Sequence, residues 1–240
     1  TMTSREAIEL AALAEQRSKI IQVGYYYRFH PTAIDLSARI DAGDLGDVRY
    51  LAGSFYGFKR ARTDVGVTHT DGIHFIDLFN WLVGENPINV YALIRDHFGR
   101  GMEDCSVVLI EYANGAFAKV ESGYIQPGLY RDKVVPGAFT TKQVSVSGSR
   151  ATAEIDFETE QMAFHDVHQE FLNGTWTPVL KSSEVPNTAT RSPLQMVQAE
   201  LASFLSAVGD RVDAGVGPVG SGVVLAKVME AIYESARTAK

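Results

Sequence analysis

The chain contains a single cysteine, Cys105, in 240 residues. No disulfide can form within it, and a reducing, cytoplasmic setting is the expectation. It also lacks any apolar run of about 18 residues, so no membrane-spanning helix is expected, and no stretch reads as a secretory leader. Basic charge is scarce: 22 Lys and Arg stand against 29 Asp and Glu, a formal net charge of −7. The densest basic stretch is only Lys59-Arg60-Ala61-Arg62. A nucleic-acid partner and an anionic membrane surface are therefore not expected. There is no internal repeat and no low-complexity tract. What is present is ordinary for a globular protein with a sizeable core: 45% apolar and 21% charged residues. The length suits one large domain, or one and a half ordinary ones.

Thr3-Ser4-Arg5-Glu6 reads as a capping box opening a helix to about Arg17. Residues 19–24 read as a short buried strand. Tyr25-Tyr-Tyr-Arg-Phe-His-Pro31 is a polar–aromatic junction, and Pro31 suits the first turn of a helix ending at Ala42-Gly43. Strands are expected at 47–58, 89–96, 105–112, 116–124, 143–147 and 152–157, with weaker signals at 161–171 and 175–180. Ala113-Asn114-Gly115 and Gly148-Ser149 read as hairpin turns, which imply antiparallel neighbours. Helices are expected at 70–82, 193–208 and from 221 to about Ala239. The expected class is α+β: a large, mostly antiparallel sheet with helices on one face. The first helix–strand unit stands outside that pattern and suits the last αβ unit of a parallel sheet.

Residues 70–77, Thr-Asp-Gly-Ile-His-Phe-Ile-Asp, carry the strongest chemical signal. At about 100° per residue, Thr70, Asp71, His74 and Asp77 fall within roughly a third of a helix circumference. The rest is apolar: Ile73, Phe75, Ile76, Phe79, Trp81 and Leu82. A helix so apolar that carries His and Asp either hydrogen-bonds them internally or aims them at a ligand. Gly215-Val-Gly217-Pro-Val-Gly220 has the spacing of a dinucleotide fingerprint. That motif needs a buried strand before it, whereas a helix and a polar linker precede it here, so it reads as a loop with a helix start.

Several segments in order resemble one family. They are Ser4–Glu15, Val23–Pro31, Gly46-Asp-Val-Arg49, Gly72-Ile-His74-Phe-Ile-Asp77, Val144–Gly148 through Glu154-Ile-Asp156, and Glu230–Ala236. Together they resemble the glucose–fructose oxidoreductase / inositol dehydrogenase / rhizopine-catabolism (Gfo/Idh/MocA) dehydrogenases. The resemblance implies hydride transfer between NAD or NADP and a sugar, sugar derivative or cyclic polyol. It implies that residues 1–24 are the last helix–strand unit of a truncated dinucleotide-binding domain, and residues 25–240 the substrate-binding and oligomerisation domain. On that basis the fragment alone is expected to be inactive. It gives His74 the role of proton carrier at the reacting hydroxyl, with Asp77 orienting its ring. Family members often place an aspartate four residues before the histidine; Thr70 stands there, and Asp71 is the candidate to take over the relay. Tyr26 and Arg28 are placed where nicotinamide and sugar would meet.

Bland readings stand beside these. His74 and Asp77 could brace a buried helix. Tyr124, Tyr130 and Arg131 either contact a sugar or are ordinary loop residues. Lys59, Arg60 and Arg62 either line the site mouth or form a solvated loop. His69, Asp71 and His74 make a weak metal set without cysteine, and His165 and His168 on one strand would face opposite sides, so no metal is expected. The rival to an enzyme is a non-catalytic sugar-binding or dimerisation module. In either case an uncovered sheet face points to a homodimer or homotetramer.

Overall fold

The computed structural model describes residues 2–210, 212 and 215–238. Ala239, the expected end of the last helix, lies outside them. Helix α1 (Ser4–Gln16) opens on the expected capping box. Thr3 Oγ1 accepts from the Glu6 amide at 3.2 Å, and the Glu6 carboxylate accepts from the Thr3 amide at 3.3 Å. Two amides that a helix start leaves orphaned are thereby satisfied.

The expected strand at 19–24 is not formed. This segment makes one isolated antiparallel bridge, Gln22 with Pro218, and Ile20–Val23 are only half-buried. An apolar run becomes a ladder strand only beside a matching edge. Among the described residues, its neighbour is the loop leading into α5 (Val219–Thr238). A 3₁₀ turn, Tyr26–Phe29, then leads to α2 (Pro31–Asp41), with Pro31 in its first turn.

The strands are β1 (Val48–Phe58), β2 (Pro87–Arg95), β3 (Cys105–Tyr112), β4 (Phe117–Gly123), β5 (Tyr130–Arg131), β6 (Phe139–Gly148), β7 (Thr152–Asp156), β8 (Gln161–Leu172) and β9 (Thr175–Glu184). They form one sheet in the order β2-β3-β4-β1-β6-β7-β8-β9, with β5 on β6. All described pairings are antiparallel except β1 with β4. The α+β reading therefore holds. The parallel pair is the unforeseen feature, since local periodicity carries no information on strand order.

Alternation along β1 separates the two sheet faces. Leu51, Gly53 and Phe55 point into the core, while Tyr50, Ala52, Ser54 and Tyr56 point away. The core packs Leu51, Val108, Ile110, Val120, Val144 and Ile155 against Leu36 of α2, Phe75 and Phe79 of α3 (Ile73–Val83), and Met229 and Ile232 of α5. A Cβ at Gly53 would lie 2.8 Å from the Phe75 ring and 3.0 Å from that of Phe79. Glycine here is what lets α3 lie directly on β1. Helix α4 (Pro193–Asp210) precedes α5.

Candidate active site

The helix expected to begin at Thr70 is entered through a wide π-helical turn, Thr68–Gly72, and becomes α-helical only from Ile73. A π turn holds more residues per turn than an α turn, so the 100° spacing fails across it. The four expected side chains consequently diverge. Thr70 Oγ1 meets the Tyr124 hydroxyl at 2.6 Å, and Asp71 Oδ1 accepts from Lys59 Nζ at 2.5 Å. Asp77 accepts two hydrogen bonds from Arg28, Nε to Oδ2 at 3.0 Å and Nη2 to Oδ1 at 2.7 Å. The expected Asp77–His74 contact is not made, because both carboxylate oxygens belong to Arg28.

His74 is half-buried, and no described side chain hydrogen-bonds its ring. It stands edge-on to Tyr27 at 5.7 Å and stacks over Phe55 at 6.3 Å, centroid to centroid. Burial among these rings, reinforced by the positive charges of Lys59 and Lys142, pushes its pKa down to about 4. The imidazole is therefore neutral at physiological pH and can accept a proton.

Asp71 is buried, and its second oxygen, Oδ2, has no hydrogen-bond partner among the described residues. Burial pushes it up to about 6 against the opposing pull of Lys59. Lys142, also near the Phe55 ring, donates to Asp132 and to Glu158, both at 2.8 Å. Thr140 Oγ1 lies 2.8 Å and 2.7 Å from the same two carboxylates. Burial works to raise the Asp132 pKa, but Lys142 and the Val135 and Val134 amides outweigh it and hold it at about 2. Asp77 is pushed up to about 6 by burial despite Arg28.

The remaining expected residues are spread more widely. Tyr26 packs edge-on to Tyr27 at 5.4 Å and lines a small crevice with His30, Lys142 and Glu158. Arg28 is buried over the Tyr25 ring at 4.4 Å and faces a different hollow, of about 230 Å³, beside Trp81 and Ser221. Tyr130 lies on the uncovered sheet face, in a hollow of about 470 Å³ with Ala52, Ser54, Gln143 and Asp156. Arg131 is exposed near the Phe139 ring. Neither Tyr130 nor Arg131 is brought to His74. His69 Nδ1 meets the Tyr233 hydroxyl at 2.8 Å, His165 meets Ser183, and His168 meets Glu170. Among the described residues no cluster of three His, Cys, Asp or Glu is disposed to hold a metal.

Sequence reasoning missed Tyr27, Lys142, Asp132 and Glu158 as site residues, and gave Lys59 no partner. One signal was available. Lys142 shares period-2 parity with the buried Val144 and Val146, so its ammonium had to enter the core side and find acids there. Asp132 and Glu158 sit outside regular strands, where nothing local announces a contact.

Residues 34–154 match the GFO/IDH/MocA C-terminal domain. The chain belongs to this family. It is 30% identical over 132 residues to the rhizopine catabolism protein MocA of Rhizobium meliloti, covering 51% of this chain and 41% of that protein. It is 28% identical over 138 residues to a scyllo-inositol 2-dehydrogenase (NAD(+)) of Bacillus subtilis, covering 53% and 40%. These alignments thus span well under half of each relative's length. The fold is similar to that of a UDP-N-acetylglucosamine 3-dehydrogenase from Acidithiobacillus ferrooxidans, with a TM-score of 0.78 at 20% identity, covering 99% of this chain and 69% of that one.

Proposed function

We propose that the whole protein is an oxidoreductase that moves a hydride between NAD or NADP and a ring carbon of a sugar, sugar derivative or cyclic polyol. Residues 25–240 would be its substrate-binding and oligomerisation part, and residues 1–24 the last unit of its cofactor domain. The observation that carries this reading is the His74 imidazole, walled by Phe55 and Tyr27 and without a hydrogen-bond partner among the described residues. Family membership and the dehydrogenase names of the relatives add to it.

In the oxidative direction a substrate hydroxyl beside His74 gives its proton to the ring as the carbon–oxygen double bond forms. A bound nicotinamide would supply the hydride acceptor. Phe55 and Tyr27 wall the half-buried imidazole. Thr70, tied to Tyr124, and Asp71, tied to Lys59, border the same turn and would orient hydroxyls rather than abstract protons. Arg28 and Asp77 would fix α3 against the junction at Tyr25–Phe29. The described residues supply no dinucleotide cradle. Gly217 fits closely against Val23, whose carbonyl would lie 2.5 Å from an added Cβ, so that glycine serves packing.

The open sheet face exposes Tyr91, Leu93, Leu109 and Phe117, and a second copy of the chain would cover it in a homodimer or homotetramer. The rival reading, a non-catalytic sugar-binding or dimerisation module, draws on this same face and on the missing cradle. A dehydrogenase screen of the whole protein against sugars and polyols, with both cofactors and a His74→Ala control, separates the two. Turnover that the variant loses supports the enzyme; sugar binding without turnover supports the module.

A further inference from the structure

The covered face of the sheet holds two lysines that nothing in the proposed chemistry yet uses. Lys59 follows β1 and Lys142 lies in β6, and their side chains are only 10% and 7% exposed. Both ammonium groups lie against the ring of Phe55, at 4.7 Å and 5.3 Å from its centroid. The same ring carries the stacked imidazole of His74. Neither ammonium is free to move. Asp71 holds Lys59, while Asp132 and Glu158 hold Lys142. Two buried, pinned cations thus share one aromatic ring with an imidazole that has no hydrogen-bond partner among the described residues.

We propose that Lys59 and Lys142 are positioning residues for His74: two fixed ammonium groups, held against the same Phe55 ring on which the imidazole stacks, that keep its ring nitrogens unprotonated and open to a substrate proton. This deepens the proposed role of His74 and rests on that reading for its meaning, although its test needs no substrate. Positive charges held against the same ring disfavour the imidazolium. Tyr27 from the 3₁₀ turn packs on both the Phe55 and the His74 rings, Asp71 lies in the π turn with Tyr124 beside it, and Arg28 turns away toward Tyr25 and Trp81. Arg28 is already neutralised by Asp77, and the Tyr27 hydroxyl is held protonated, its pKa raised by burial and by Glu158.

The test is a pH titration of the histidine side chains by NMR in the chain itself, with His74→Gln assigning the resonance among the six histidines. The expected result is a His74 ring still unprotonated at about pH 5.5, well below the ordinary histidine midpoint. Lys59→Met and Lys142→Met each raise its midpoint, Lys59→Arg and Lys142→Arg restore it, and Lys119→Met on the open face leaves it unchanged. Should Lys59→Met not fold, the double variant Lys59→Met/Asp71→Asn removes the buried pair together and is expected to raise the midpoint likewise. A wild-type His74 that titrates at the ordinary value overturns the proposal. So does a depressed midpoint that neither lysine substitution moves, which would leave burial alone as the cause. Because no turnover is measured, failure here leaves the dehydrogenase reading standing, and failure of that reading leaves this result intact.

Discussion

The two faces of the central sheet share the same strands and differ in almost everything else. On the covered face, β1 presents Leu51, Gly53 and Phe55 to α3, and the charged groups there include the buried pairs Arg28–Asp77, Lys59–Asp71 and Lys142 with Asp132 and Glu158. On the open face the same strands present Tyr50, Ala52 and Ser54, next to exposed Leu93, Leu109 and Phe117. Polar side chains there are wet, and Lys119 pairs with Glu121 while both stay about a third exposed. An ion pair on the covered face is therefore expected to matter far more than one on the open face, because losing a partner leaves a charge without water.

The sharpest way to break that contrast is Asp77→Ala, which strands the buried Arg28 guanidinium. Unfolding by urea should show a loss of about 3–5 kcal/mol, whereas Glu121→Ala should cost at most about 1 kcal/mol. Equal effects would mean that the covered pair is solvated in solution. Next comes packing. Phe75→Ala should cost about 3–5 kcal/mol through the cavity it leaves under β1. Leu109→Ser should change monomer stability by less than about 0.5 kcal/mol, yet weaken self-association in sedimentation if the open face is the interface.

A smaller effect is expected with pH. His30 and His74 have pKa values lowered by burial to about 4. The folded chain binds fewer protons there than the unfolded one, so these histidines contribute stability that is present above about pH 6.5 and lost as pH falls toward 4. Asp71 and Asp77, raised to about 6, act in the opposite sense: their contribution is present below about pH 4 and is lost as pH rises through 6. The two sets oppose one another across that window. Removing one histidine, as in His74→Gln, should make the fall in urea midpoint from pH 7 to pH 5 shallower. An unchanged fall would show that His74 is not held neutral by the fold.

Much of the fold was legible because its signals are local. The Thr3–Glu6 capping box, the Asn114-Gly115 turn and the alternation in β3 and β7 each depend on neighbours within a few residues. What depends on distant partners was not legible. The parallel pairing of β1 with β4 and the absence of a ladder at 19–24 follow from which edges are available, not from periodicity. The site shows the same division. His74 stood out by residue type within an apolar helix, but the π turn before it redirected Thr70 and Asp71. Asp77 found Arg28 from 49 positions away. Lys142 could have been suspected from its inward parity, whereas Asp132 and Glu158 could not. Tyr130 and Arg131 were chosen for their loop-like composition, and the short β5 instead places them against β6, with Tyr130 on the face opposite His74.

The most direct test of the account is steady-state turnover of the whole protein beside its His74→Gln variant, on a sugar or polyol that the wild type oxidises with NAD or NADP. The account predicts a fall in kcat of about 10²–10⁴-fold with folding and substrate binding retained. A variant that turns over at the wild-type rate would contradict it.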